Sequence, residues 1–193
     1  MSGGAARYAL GAVCLLTICG SLALAAVGLR RHLFAEWSGT LARLAEALIG
    51  VALLIWILQA LGAVGLFRLV PIVCACVAAG LSVAVATRGA QPRRPRADGR
   101  ASTRVAATIA VLACATVAAE WASPTLQAYV LGVHTFDSLW YHLPWAAGFA
   151  QTGHVTQLHY DLEFLLAFYP ATGELLHGLG IVLFGHDTIS PGL

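Results

Sequence analysis

The sequence predicts an all-α polytopic membrane protein with a short extracytoplasmic loop subdomain of amphipathic helices, and three observations carry that reading. Hydrophobic residues make up 59% of the 193 positions and charged ones only 10%, and the mean hydropathy is +0.80, too apolar for an ordinary soluble domain. Apolar runs near the roughly 20 residues needed to cross a hydrocarbon core about 30 Å thick recur along the chain. The basic residues, all eleven of them arginine, collect between those runs rather than within them.

The runs occupy residues 8–29, 47–67, 69–87 and 105–119 with its flanks, four predicted spans within residues 1–120. Arg88, Arg93, Arg94, Arg96, Arg100 and Arg104 share the Pro-containing linker 88–104, and cytoplasmic loops retain positive charge, so that linker is placed inside. Alternation puts Arg30, Arg31 and Arg43 on the same side and leaves Arg7 and Arg68 on the other, where Arg68 is expected to reach for the headgroups. The bacterial plasma membrane is the expected location. A cleavable signal peptide ending near Ala23-Leu24-Ala25 is the rival reading of the first run, but cleavage would export the arginine-rich linker. A nucleic-acid role is excluded by the lack of a folded basic face. Cys14, Cys19, Cys74, Cys76 and Cys114 all fall in apolar segments without a CxxC pair and read as small buried hydrophobes.

Beyond Glu120 the composition changes. Six of the seven histidines lie in the last third of the chain, interleaved with Asp137, Asp161, Glu163, Glu174 and Asp187. By alternation residues 121–174 form the extracytoplasmic loop, and residues 175–193 begin a further transmembrane helix that is cut short. Within the loop, a helix is predicted over 138–152, with Leu139, Leu143, Ala146, Ala147 and Ala150 forming one apolar face at spacings of three and four. Trp140, Tyr141, Trp145 and Phe149 suit a helix lying at the membrane interface. A turn follows at Gly153, then a partly aromatic segment over 158–169. Asp137 or Ser138 would serve as the helix N-cap, and Glu174 would cap the next helix.

The pattern Phe136-Asp137-Ser138-x-x-Tyr141-His142-Leu143-Pro144, followed by Gln151-Thr152-Gly153, Tyr169-Pro170 and Gly173-Glu174-Leu175-Leu176, resembles the first extracytoplasmic loop of GT-C class membrane glycosyltransferases. That superfamily includes protein O-mannosyltransferases and the aminoarabinose transferase of lipid A. The resemblance covers residues 135–184. It implies transfer of a sugar from a polyprenyl-phosphate donor to an acceptor hydroxyl on the outer face of the membrane, usually with inversion. By position, Asp137 is then the general base or a ligand to a divalent metal such as Mg²⁺ or Mn²⁺, with His134, Tyr141, His142, Asp161, Glu163 and Glu174 as candidate substrate contacts.

The residue types suit that chemistry. A carboxylate accepts the acceptor hydroxyl's proton as the glycosidic bond forms. His134, His142 or a metal supplies donors or charge to the leaving phosphate. A lipid-linked donor also explains a site at the membrane boundary, and no glycine-rich phosphate loop is present for a nucleotide sugar. The chain departs from the family in two respects. Ser138 stands where many relatives carry a second acid, and about four and a half spans stand where relatives have eight or more, so an N-terminal fragment is expected. The alternative class is a membrane transporter or assembly subunit with a His/carboxylate transition-metal site, against which stands the absence of charge within the spans.

Overall fold

The computed structural model describes residues 2–88, 104–133, 135–156 and 171–193, and the described residues form helices and turns. Four helices are long and apolar enough to cross a membrane: α1 (Ser2–Leu33), α2 (Gly39–Ala63), α3 (Leu69–Ala86) and α4 (Arg104–Leu131). These match the expected spans, and they mark the chain as a membrane protein. On α1, Arg7 and Arg30 lie 23 residues apart, or about 35 Å at 1.5 Å per residue, a separation that brackets a hydrocarbon core of about 30 Å. The helix runs unbroken through Ala23-Leu24-Ala25 and buries Leu22, Ala25 and Ala26 in the bundle. Most of the arginine-rich linker lies outside the described residues.

In lipid, apolar side chains gain little by leaving one apolar medium for another, so helix association depends on close fit. The most extensive interface, between α1 and α3, is built that way. A Cβ on Gly80 would stand 2.7 Å from the Ser21 carbonyl oxygen and 3.2 Å from its Cα, so the two backbones touch because Gly80 carries no side chain. About two turns toward the arginine-rich end, Gly28 makes room for the side chains of Val83 and Thr87. That end is tied by charge: Glu46 of α2 is nearly buried and accepts from Arg30 of α1 at 3.0 Å and from Arg43 at 2.5 Å, one arginine on each oxygen.

At the opposite end, α2 and α3 are joined by a short turn whose Phe67 is fully buried. Two shorter helices, α5 (Leu143–Thr152) and α6 (Thr172–Phe184), pack on this end together with a π-helical turn, Ser138–His142, that leads into α5. Gly153 closes α5 at φ +83°, its N–H donating to the Phe149 carbonyl, a left-handed C-terminal residue that glycine adopts without strain. The chain then docks by backbone hydrogen bonds: Phe67 N–H donates to Gly153 O at 3.0 Å, and Val155 N–H to Gly62 O at 3.1 Å. Phe67 and Phe149 meet edge-on at 6.2 Å, and Trp145, Leu175, Leu179 and Leu183 complete the core over them. At 13 residues α6 measures about 20 Å and does not span a bilayer.

Three expectations change. α4 continues past residue 119 through Pro124 to Leu131. Pro124 costs that helix one backbone hydrogen bond, and the flanking residues keep helical geometry. Near its carboxyl end it packs on the terminal 3₁₀ turn, Ser190–Gly192, and the residues leading to it: Trp121 Nε1–H donates to Gly192 O and Tyr129 O–H to Thr188 O. Of the cysteines only Cys76 is buried, while Cys19, Cys74 and Cys114 are exposed on outward faces. Of the expected apolar row Ala146 is fully buried, Leu143, Ala147 and Ala150 are half-buried and Leu139 is exposed, while Trp145 and Phe149, expected at the interface, are buried beside Ala146. The π turn inserts an extra residue and shifts the phase of everything after it.

Gly80→Leu is expected to push α1 and α3 apart and lower stability by about 1–3 kcal/mol, the usual cost of overpacking, whereas Gly20→Ala, with open space at its Cβ, leaves stability unchanged or raises it. Thermal melting of the two variants in detergent, followed by helical circular dichroism, checks the contrast.

Candidate functional site

The site is built where α5 and α6 begin. The two helices run parallel at a constant offset of 32 residues. His142 meets Glu174, the Ala146 carbonyl faces Gly178, and Ala150 and Val182 line the same cleft at the far end. Gly178 permits this approach, since a Cβ there would lie 3.2 Å from Ala146 O and 3.3 Å from the Phe67 ring.

The helix that carries the sequence motif starts two to three residues earlier than its capping residues suggest. Phe136 and Asp137 are already helical, and Thr135 O accepts from Leu139 N–H at 3.1 Å. Thr135 Oγ1 donates to Ser138 Oγ at 2.5 Å. Asp137, with φ −62° and ψ −39°, makes no capping hydrogen bond and is exposed. The N-cap role read for Asp137 or Ser138 is therefore filled by neither, and the Asp137 carboxylate is turned to solvent. The backbone then widens, Leu143 N–H donating to Ser138 O five residues back. In such a turn residues four and five apart, here Tyr141 and His142 relative to Asp137, fall on one side. Turns of this kind recur at functional sites.

Glu174, in the first turn of α6, is 3% exposed and binds His142 Nδ1 through Oε1. It does not cap α6; the N-cap position is Ala171. An ionised carboxylate can only accept, so His142 Nδ1 is then the donor, and the His142 side chain is 36% exposed. Tyr141 stacks beside His142 with ring centroids 4.0 Å apart and meets Trp145 at 5.4 Å, edge to face. Among the described residues, Glu174 Oε2, His177 Nδ1 and Trp145 Nε1 are buried polar atoms with no hydrogen-bond partner, all on the α5–α6 pair.

Glu174 and His177 stand at i and i+3 and so share a face of α6. Burial pushes the His177 imidazole below its ordinary pKa of 6.5, Glu174 opposes that shift, and His142 adds to it. Neither His177 nor the pairing of Glu174 with His142 is read from the sequence above. The available signal was an acid and a histidine three residues apart within an otherwise apolar run.

Of the expected site residues, Asp137, Tyr141, His142 and Glu174 come together along one π turn and the helix beside it. His134, Asp161 and Glu163 lie outside the described residues. Among the described residues no three His, Cys, Asp or Glu side chains are gathered so as to hold a metal ion. What the arrangement provides is an exposed carboxylate, a part-exposed imidazole held by a buried acid, and the half-buried Tyr141 ring beside it.

Two predictions follow from the buried acid. His142→Ala strands both oxygens of Glu174 and is expected to cost about 3 kcal/mol, while His142→Phe combined with Glu174→Leu, which removes both partners, costs less than half as much. Denaturation of the single and double variants in detergent measures the difference. Because His177 is depressed in the folded state, the unfolded chain binds a proton more readily. Its contribution to stability is complete above pH 6.5 and is lost as pH falls below that value. His177→Asn is expected to flatten that acid limb, as read by melting temperatures between pH 8 and pH 5.

Compared with protein-family models, curated proteins and solved structures, the chain finds no match in any of the three.

Proposed function

We propose that the chain belongs to a membrane glycosyltransferase that moves a sugar from a polyprenyl-phosphate donor to an acceptor hydroxyl at the extracytoplasmic face of a bacterial plasma membrane. The observation that carries the reading is the exposed, uncapped carboxylate of Asp137 beside His142, whose imidazole is fixed by buried Glu174, at one end of an apolar helix bundle. The excess of arginine at the other end of the bundle supports an outward orientation for this one.

In this mechanism the acceptor oxygen attacks the anomeric carbon, and its proton passes to the Asp137 carboxylate as the new C–O bond forms. The bond from that carbon to the donor's phosphate oxygen breaks, and the phosphate leaves with the electron pair. His142 Nε2 meets the phosphate, with Glu174 holding the ring in orientation through Nδ1. Tyr141, half-buried and backed by the buried Trp145, supports the sugar or shields it from water. A Mg²⁺ or Mn²⁺ ion requires several oxygen ligands. Near His142 the described carboxylates are Asp137 and Glu174, the latter buried against His142, so no step is drawn through a metal.

Because Asp137 is exposed and makes no cap, Asp137→Asn is expected to melt at the parent temperature yet lose about 10²- to 10⁴-fold in transfer rate, the range set by loss of a general base. Radiolabelled polyprenyl-phosphate sugars incubated with membranes carrying either form provide the assay. Equal rates in the two would overturn the role of Asp137.

A further inference from the structure

The other end of the α5–α6 pair carries a separate site. An open cleft of about 460 Å³ lies between Arg7 of α1, Arg68 at the α2–α3 turn, Ala150 and Gln151 of α5, and residues 181–185 of α6. Nine residues of α5 separate His142 from Gln151, about 13 Å along the axis, so the cleft is distinct from the Asp137–His142 end.

Each arginine lies across the glycine that ends a helix. Arg68 Nη2 donates to Thr152 O at 3.2 Å beside Gly153, and Arg7 Nε donates to Phe184 O at 3.3 Å beside Gly185. Both glycines have positive φ; a Cβ at Gly185 would run into the Arg7 guanidinium, and one at Gly153 would meet the Gly65 carbonyl oxygen at 2.7 Å and Arg68 Nε at 3.1 Å. The two carbonyl ends carry roughly half a negative charge each, about −1 together, against two full positive charges. A guanidinium has five N–H donors and these contacts use one apiece. Among the described residues neither arginine has a carboxylate partner, and the lining of the cleft contains no acid. Among the described residues the cleft is therefore net positive, with donors to spare.

Its remaining wall is apolar, formed by Leu10, Leu69 and Ile181 to Leu183. That wall continues onto the outward faces of α1 and α3, where Leu10, Val13 and Val70 are exposed on membrane-crossing helices. Two arginines set at the end of an apolar track complement an amphiphile with an anionic head. Phosphate matches the planar donor fork of arginine.

We propose that this cleft binds the phosphate headgroup of an anionic lipid, with the hydrocarbon tail lying along α1 and α3. The site does not depend on the glycosyltransferase reading, since neither Asp137 nor His142 takes part. It is tested by native mass spectrometry of the full chain in neutral detergent, titrated with dioctanoyl phosphatidic acid, with dioctanoyl phosphatidylcholine and with inorganic phosphate. Phosphatidic acid is expected to bind as a single adduct. The other two are expected to bind about tenfold or more weakly, because each charge-assisted bond lost is worth about that factor. Arg7→Gln and Arg68→Gln each weaken the lipid by about tenfold, and the Arg7→Lys/Arg68→Lys pair keeps most of the binding. Gln151→Glu, at an exposed position that caps nothing, places a negative charge on the cleft and is expected to weaken binding similarly without touching either arginine. Inorganic phosphate binding as tightly as the lipid overturns the lipid as occupant. Equal binding of phosphatidylcholine, or parental affinity in a folded Gln151→Glu chain, overturns the site.

Discussion

The contact of two backbones, Gly80 against Ser21, is the constraint from which the rest of the molecule follows. A membrane bundle cannot use the transfer of apolar groups out of water to bring its helices together, so it relies on dispersion at close range and on hydrogen bonds. With α1 and α3 locked at that distance, α2 is held between the charged clasp of Glu46 with Arg30 and Arg43 at one end and the turn to α3 at the other. The turn then offers a defined platform. Gly62 and Gly65 leave room for Val155 and His154, and the backbone bonds from Phe67 and to Gly62 fix the end of α5 on it. The position of the candidate site thus descends from a missing side chain in the middle of the bundle.

The spans were legible because hydropathy over some 20 residues is a strong, local signal and the bilayer leaves few alternatives. The breaking glycine at 153 was legible for a similar reason, since a left-handed C-terminal residue favours one amino acid. What failed was phase. A face read at period 3.6 from Leu139 onward assumes uniform winding, and the π turn at Ser138–His142 adds a residue that puts Leu139 out of register with Ala146, which is buried between Trp145 and Phe149. The cap reading of Asp137 failed with it, because the helix already includes Phe136. Glu174 was read as a helix-end charge. Its pairing with His142, 32 residues away, is a tertiary fact that no local pattern announces. The cysteines were read as buried on the rule for soluble cores, but on a helix facing lipid an apolar residue has no reason to turn inward.

Charge is handled differently at the two ends of the bundle. At the Arg30 end each oxygen of a nearly buried carboxylate meets its own arginine, and the group is structurally complete. At the other end the polar groups are left with capacity. Glu174 Oε2 and His177 Nδ1 lack partners among the described residues, Asp137 faces solvent, and Arg7 and Arg68 have used one donor each. Stability alone would favour the first arrangement at both ends, since unpartnered buried polar atoms cost free energy. Retaining the second concentrates chemical capacity where the apolar helices meet water.

The parallel packing of α5 and α6 ties these features together. Two parallel helices align their dipoles, which places two partial positive charges side by side at the amino ends and two partial negative charges at the carboxyl ends, an arrangement that repels. Antiparallel neighbours would avoid the cost. Here each end carries the compensating charge: Glu174 sits in the first turn of α6 next to the entry to α5, and Arg68 and Arg7 lie against the last carbonyls of α5 and α6. The compensation is unequal. One carboxylate faces about one unit of positive dipole charge and is further occupied by His142, whereas two arginines face about one unit of negative charge. At the amino end Glu174 offsets the dipole charge and the exposed Asp137 carboxylate adds further negative charge, whereas the carboxyl end is left positive. One unfavourable choice of helix direction therefore accounts for why the acid is buried where it is, why both terminal glycines are overlaid by arginine, and why the two ends of one short helix pair differ in charge.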